Sequence, residues 1–266
     1  MPELPEVETV VRGLHQAVAG NVIERVELRR ANLRYPFPED LVDSLTGAKI
    51  EQISRRAKFL MFDFSSIQLV GHLGMTGAYV VRQKLEPQKH DHMIWYLSDG
   101  REVVYHDPRR FGFLLRHSDA KSILDNLGIE PFSPEFNADF LRSKMQKAIA
   151  PIKVFLLNQK IVVGIGNIYA SEILFRCNIN PITPTNQCVE KAEMLVEQTK
   201  QVLNEAILSG GSTLRNYANA SGEGGYFQHH FNVYGKAGQD CEICQTPIIR
   251  ITQAGRSTFF CPNCQP

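Results

Sequence analysis

The sequence predicts an α+β chain of several domains: a helix-led β-sandwich first, a helical module next and a small cysteine-stapled hairpin last. Three observations predict it. Short β-rich runs divided by turn signals fill the first half, helical periodicity takes over after Pro131, and two Cys-x-x-Cys pairs stand close to the C-terminus. A length of 266 residues accommodates about two domains of roughly 100–200 residues. A hydrophobic share of 43% with 21% charged residues is enough apolar material for sizeable cores.

From Pro5 to Ala19 the apolar residues Val7, Val10, Val11, Leu14 and Val18 recur at helical spacing. Pro5 suits a first helical turn and Gly20 a C-terminal stop. Between Val22 and Leu115 the runs Lys58–Phe64, Ile94–Leu97 and Val103–Tyr105 read as strands, with Ser98-Asp99-Gly100 as a turn. Strands this short and this closely spaced predict a sandwich or barrel. A linker is expected near residues 128–135. Helices are then expected over Phe140–Ala148, Pro151–Leu157, Asn167–Phe175 and Val189–Leu208. Tyr217–Gly225, rich in Gly, Ser and Asn, reads as a mobile loop. The domain boundaries that follow are 2–130, 131–225 and 226–266.

The net charge of +1, from 29 basic and 28 acidic residues, does not choose a partner, because a nucleic-acid protein needs only a local basic face. Arg29, Arg30 and Arg34, then Arg55, Arg56 and Lys58, then Arg109 and Arg110 form such clusters, each of which alone reads more readily as a solvated face. No run approaches the ~18–20 apolar residues of a membrane span. The opening Met1-Pro2-Glu3-Leu4-Pro5-Glu6 is acidic and proline-rich, unlike a secretory signal. A reducing, cytosolic location and a monomeric state are the expectations.

Cys241-Glu242-Ile243-Cys244 and Cys261-Pro262-Asn263-Cys264 have the spacing of a structural zinc site. Two intervening residues let both thiolates of a pair reach one ion, and four thiolates fill a tetrahedral shell. A redox dithiol pair or disulfides are the rival readings, and a reducing compartment disfavours disulfides. Cys177 and Cys188 read as packing residues.

Three further segments add a family. Pro2-Glu3-Leu4-Pro5-Glu6-Val7, Asp107-Pro108-Arg109-Arg110-Phe111-Gly112 and Val163-Gly164-Ile165-Gly166-Asn167-Ile168-Tyr169-Ala170 closely resemble the formamidopyrimidine-DNA glycosylases, bacterial 8-oxoguanine repair enzymes. With the cysteine hairpin and Arg256 inside it, the resemblance runs from residue 2 to residue 264. It implies a β-sandwich, a helix–two-turns–helix DNA-binding module and a β-hairpin zinc finger. It also implies removal of oxidised purines from duplex DNA, then β- and δ-elimination at the abasic site. The sister family, endonuclease VIII, prefers oxidised pyrimidines. Leu4, where that family typically has glycine, and the Met75, Arg109 and Phe111 set favour the purine enzyme. A damage-binding protein without catalysis is the remaining alternative, against which Pro2, Glu3, Lys58 and Arg256 together argue.

The chemistry suits these residues. Removal of Met1 leaves Pro2 with a secondary amine that can attack C1′ and form a cationic iminium. An α-amino group titrates near pH ~8, closer to neutrality than a lysine near ~10.4, and the positive end of the adjoining helix further disfavours its protonated form. By resemblance Glu3 donates a proton to the opening deoxyribose, a role served by a raised pKa. Glu8 reads as favouring the helix N-terminus, and Glu6 equally as helix cap or site residue. Lys58 matches the lysine of β-elimination, and strand alternation places it opposite Phe59. Arg256 matches the arginine of δ-elimination at the hairpin tip, where an always-charged guanidinium acts electrostatically.

Chemistry on C1′ also needs the damaged base out of the stack. Met75, Arg109 and Phe111 match the family's void-filling set: adaptable filler, cytosine reader and wedge. Gly164 and Gly166 let backbone approach phosphate, and Asn167 opens a helix whose amides bind it. His72, His90, Lys153 and Tyr234 are further phosphate candidates, and such contacts predict salt-sensitive binding. Ser221–Phe227 corresponds to the family's lid over the flipped base; some members carry lysine where this chain has Glu223.

Overall fold

A computed structural model describes residues 1–211 and 227–266. It divides into two compact units: residues 1–125 with 209–228, and residues 126–208 with 229–266.

The first unit opens with α1 (Leu4–Val18), whose buried face is Leu4, Val7, Val10, Val11, Leu14 and Val18. Gly20 follows with φ +87°, a left-handed stop that glycine adopts without steric cost. The strands β1 (Ile23–Leu28), β2 (Ile50–Arg56), β3 (Phe59–Phe64), β4 (Gln68–His72), β5 (Ala78–Gln83), β6 (Asp91–Leu97), β7 (Arg101–His106) and β8 (Phe113–Arg116) come next, with α2 (Leu41–Leu45) between β1 and β2 and α3 (His117–Leu124) after β8. They form two four-stranded antiparallel sheets, ordered β1-β6-β7-β5 and β2-β3-β4-β8. Phe62 and Phe64 of the second sheet meet Trp95 of the first edge-on, ring centroids 5.5 Å apart, and Tyr79 packs on Phe62 at 5.3 Å. Each large apolar side chain buried in such an interior contributes roughly 1.5–3 kcal/mol. The expected sandwich and its leading helix are present.

The second unit contains α4 (Ala138–Met145), α5 (Ile152–Leu156), α6 (Asn167–Arg176), α7 (Ala192–Leu208) and the hairpin β9 (Ile249–Gln253) and β10 (Arg256–Phe260). The expected helices are all found, although Val189–Lys191 forms a separate 3₁₀ turn before α7. The segment read as a linker is packed instead. Ile129 bridges Val162 in parallel, and a Cβ on Gly128 would lie 2.4 Å from the Ile161 carbonyl oxygen. Among the described residues, no helix is long and apolar enough to cross a membrane.

Candidate active site and nucleic-acid interface

The N-terminus of α1 carries the candidate pair Pro2 and Glu3. Glu3 is 3% exposed and stands at the N-cap in a reciprocal capping box with Glu6. Its N–H donates to Glu6 Oε2 at 2.8 Å, so one turn of helix geometry fixes the backbone of Glu3, the residue that follows Pro2. Glu6 is thereby a helix cap, and Gly211 packs on it: a Cβ there would come within 3.2 Å of Glu6 Cγ. Glu8 does not serve the helix end as expected. Its carboxylate accepts from Arg55 Nε and Arg12 Nε, each at 2.7 Å. Burial pushes the Glu8 carboxyl up, but the two guanidiniums more than offset it and leave it below its usual value.

Arg55 also donates to the carbonyl of Ala57 at 2.9 Å, tying α1 to the β2–β3 turn. Ala57 sits in the left-handed region at φ +54°, so Lys58 belongs to this turn. The expectation that strand alternation sets its direction is therefore replaced: β3 begins at Phe59, and a left-handed residue breaks the pleat before it. Lys58 is 8% exposed, which removes the reading of a solvated surface lysine.

His72, at the end of β4, stacks on Phe113 at 5.4 Å and tilts against Phe59 at 5.2 Å. Its Nδ1 accepts the Gly74 N–H at 3.0 Å, which leaves the neutral ring's proton on Nε2. Burial, aided by the charges of Lys58 and Arg34, lowers its pKa to about 4. Between pH 4 and the unfolded value of 6.5 the unfolded chain holds the extra proton. The neutral ring thus contributes stability that is complete above the upper value and is lost as pH falls to the lower. His72→Gln is expected to flatten the stability profile across this window by on the order of 1–3 kcal/mol, as measured by denaturant unfolding at a series of pH values; an unchanged slope refutes it.

Met75 is 40% exposed and Phe111 45%, with the Arg109 guanidinium 4.8 Å from the Phe111 ring centroid. Two loops therefore present these three side chains outward. His90 has φ +80° and lies 5.9 Å, ring to ring, from His106. The neighbouring Asp91 accepts from Arg82 Nη2 at 3.0 Å and the Gln88 N–H at 2.9 Å, and bonds His106 Nδ1 at 2.8 Å, which holds the His90 loop in its left-handed conformation.

In the second unit, Gly164 has φ +86° and Gly166 is the N-cap of α6. Asn167 is turned toward the hairpin, donating to the Ser257 carbonyl at 2.8 Å. Lys153 is 1% exposed. Its ammonium donates to Thr258 Oγ1 (2.7 Å), Asn167 Oδ1 (2.8 Å) and Ser257 O (3.1 Å), so it docks the hairpin rather than standing free for phosphate. The hairpin turn Ala254-Gly255 has both residues at positive φ, 46° and 72°, the geometry of a type I′ turn. It places exposed Arg256 at the tip.

Cys241, Cys244, Cys261 and Cys264 bring their sulfurs within 4.8 Å of one another, with Cys241–Cys264 at 3.9 Å and Cys244–Cys261 at 3.4 Å. A tetrahedron of ~2.3 Å zinc–sulfur bonds has edges of about 3.8 Å, so the donor set fits zinc.

Three family models match the chain in order: the formamidopyrimidine-DNA glycosylase N-terminal domain over residues 1–114, its H2TH domain over 127–218, and a zinc finger found in FPG and IleRS over 238–266. This chain belongs to the formamidopyrimidine-DNA glycosylase family. The formamidopyrimidine-DNA glycosylase of Thioalkalivibrio sulfidiphilus is 43% identical over 270 residues, covering 100% of both chains. Among solved structures, a Lactococcus lactis FPG variant bound to Fapy-dG-containing DNA superposes with a TM-score of 0.91 at 35% identity, covering 99% of each chain. The L. lactis Fpg bound to abasic-site DNA gives 0.90 at 36% identity, again over 99% of each. The four cysteines hold one structural zinc ion, as the glycosylase finger does.

Two members of the glycosylase scaffold escaped the sequence reading. Glu172, 1% exposed in α6, accepts from Asn232 N (2.8 Å) and Nδ2 (2.9 Å), Val233 N (3.0 Å) and Tyr234 N (2.8 Å). It fixes the backbone that carries Tyr234, whose ring packs on Phe259 at 5.1 Å. The signal was a lone carboxylate in an otherwise apolar helical run. Asp107, 0% exposed between two loops, is the other. The lid assigned to Ser221–Phe227 lies, except for Phe227, outside the described residues, as does the loop read over Tyr217–Gly225. Phe227 is 1% exposed, and its N–H donates to the Gly211 carbonyl at 3.0 Å.

Proposed function

We propose that this chain removes oxidised purines from duplex DNA and then cleaves the strand, with Pro2 as nucleophile. The buried Glu3 at the N-cap immediately beside Pro2 carries the reading. Family membership over the whole chain and relatives crystallised on Fapy-dG and abasic-site DNA support it. Once Met1 is removed, the Pro2 nitrogen bonds C1′ as the glycosidic bond breaks, the base departs with the bonding pair, and the proton given up by the amine nitrogen neutralises the departing base. Glu3 gives its proton to the ring oxygen as the sugar opens, leaving the iminium. Loss of the C2′ proton expels the 3′-phosphate, and a second elimination expels the 5′-phosphate. Lys58 and Arg256 offer positive charge to those phosphates, with His72, His90, Lys153, Asn167 and Tyr234 assigned to backbone contacts and their positioning. Lys153 and Asn167 then act through the hairpin that they hold. The division of labour follows 2–130, 131–225 and 226–266, and the working location is the bacterial cytosol and nucleoid.

Borohydride trapping on an 8-oxoguanine:cytosine duplex tests the proposal. A covalent adduct mapping to Pro2 is expected. Binding of the duplex without any adduct would favour the damage-binding alternative, and much faster trapping on thymine-glycol DNA the pyrimidine activity.

A further inference from the structure

Two loops, whose residues Thr76 and Asp107 are 31 positions apart in the chain, present Met75 on one side and Arg109 with Phe111 on the other, and a single carboxylate joins them. Asp107 is 0% exposed. Its Oδ1 accepts from Thr76 Oγ1 at 2.5 Å and from the Arg109 N–H at 3.3 Å. Its Oδ2 accepts from the Gly112 N–H at 2.9 Å and from the Tyr105 hydroxyl at 3.4 Å. The Thr76 hydroxyl also accepts from the Arg109 N–H at 3.2 Å. The Thr76 hydroxyl and Asp107 carboxylate thus hold the backbone of the residue that carries the cytosine-reading guanidinium.

The packing around this clasp is close, against backbone at Gly74 and against backbone and the Tyr105 side chain at Gly112. A Cβ on Gly74 would lie 2.4 Å from the Phe111 carbonyl carbon, and one on Gly112 would lie 2.7 Å from the His72 carbonyl oxygen. Arg110 is held at φ +58°, a conformation that costs a non-glycine residue about 1 kcal/mol or more and persists only where its surroundings over-determine it. His92 Nε2 bonds the Asp107 carbonyl oxygen at 2.8 Å, closing the turn from a second strand.

We propose that Asp107 and Thr76 are positioning residues for opposite-strand reading: they make the Met75 loop and the Arg109–Phe111 turn one pre-organised block. The inference rests on the reading of those three side chains as the void-filling set. Pre-organisation matters because a loop that must be ordered at the moment of binding subtracts that cost from every interaction it makes. A guanidinium on a fixed backbone distinguishes cytosine from adenine by geometry; on a wandering backbone it accommodates both.

The test is Thr76→Val, which removes the hydroxyl at nearly constant volume, beside Thr76→Ser, which retains it. Single-turnover excision is measured on 8-oxoguanine opposite cytosine and opposite adenine, together with cleavage of a single-stranded abasic oligonucleotide, which has no opposite base. Thr76→Val is expected to shrink the cytosine-over-adenine ratio about five- to tenfold while single-strand cleavage stays within about twofold, and Thr76→Ser is expected to restore the ratio. An unchanged ratio in Thr76→Val, or an equal fall in single-strand cleavage, overturns the proposal. Arg109→Ala separates the levels. If it abolishes the ratio while Thr76→Val does not, the clasp alone fails; if it leaves the ratio intact, the reading of Arg109 fails and the clasp with it.

Discussion

Retention of Met1, or its equivalent in a chain with a blocked N-terminus, is expected to abolish borohydride trapping and to lower excision and strand cleavage together by on the order of 10³-fold or more, the scale on which a covalent nucleophile matters. Pro2→Gly keeps a primary amine but loses the obligatory cationic iminium, and its expected loss is intermediate. Glu3→Gln behaves differently. The amide keeps the size of a side chain that is 3% exposed but has no acidic proton to give. Base excision is expected to fall about 10²–10⁴-fold, the usual weight of general acid catalysis. Cleavage of a preformed abasic site, whose sugar already opens to an aldehyde, should fall far less. Gel assays on 8-oxoguanine and abasic duplexes read both rates. Equal losses on the two substrates would remove Glu3 from the proton-donor role.

Removal of zinc is the second large effect. Cys244→Ser or exhaustive chelation is expected to lower the melting temperature and to abolish DNA binding, because binding of structural zinc contributes roughly 10–16 kcal/mol in isolated fingers. The consequences reach past the hairpin. Lys153, 1% exposed, places its ammonium on Ser257 and Thr258 of β10. Loosening the hairpin strands that charge, and an uncompensated buried charge costs about 3–5 kcal/mol. Calorimetry before and after chelation, with fluorescence anisotropy on an abasic duplex, measures both. An unchanged melting temperature would show that the hairpin folds without its metal. Lys153→Met, apolar and of similar length, is then expected to tolerate chelation better than the native chain.

Legibility in the sequence followed the range of the interactions. The zinc ligands were readable because their spacing is local, and α1 because five valines and leucines repeat on one face. Lys58 was recognised by its neighbours yet placed on a strand, since nothing local announces a left-handed alanine at residue 57. That conformation is held by Arg55, which is anchored in turn by Glu8 on α1. Glu172 went unread for the same reason, since its partners lie about 60 residues away, and the role of Asp107 went unread because Thr76, the partner that joins the second loop to it, is 31 residues distant. A buried carboxylate acquires its role only when the fold brings donors to it.

The sequence by itself therefore determined the fold class, the family and the metal, and it nominated the reacting groups proposed above, because each is written in short motifs whose residue types are their chemistry. The tertiary structure alone decided what holds those groups still. It turned Lys153 from an apparent phosphate ligand into the dock of the hairpin, Glu8 from a helix-end charge into the anchor of the Lys58 turn, and Asp107 into a clasp between two loops. The physical reason is that a buried charge or hydrogen-bonding group must find partners wherever the chain supplies them, and only folding specifies which distant atoms those are.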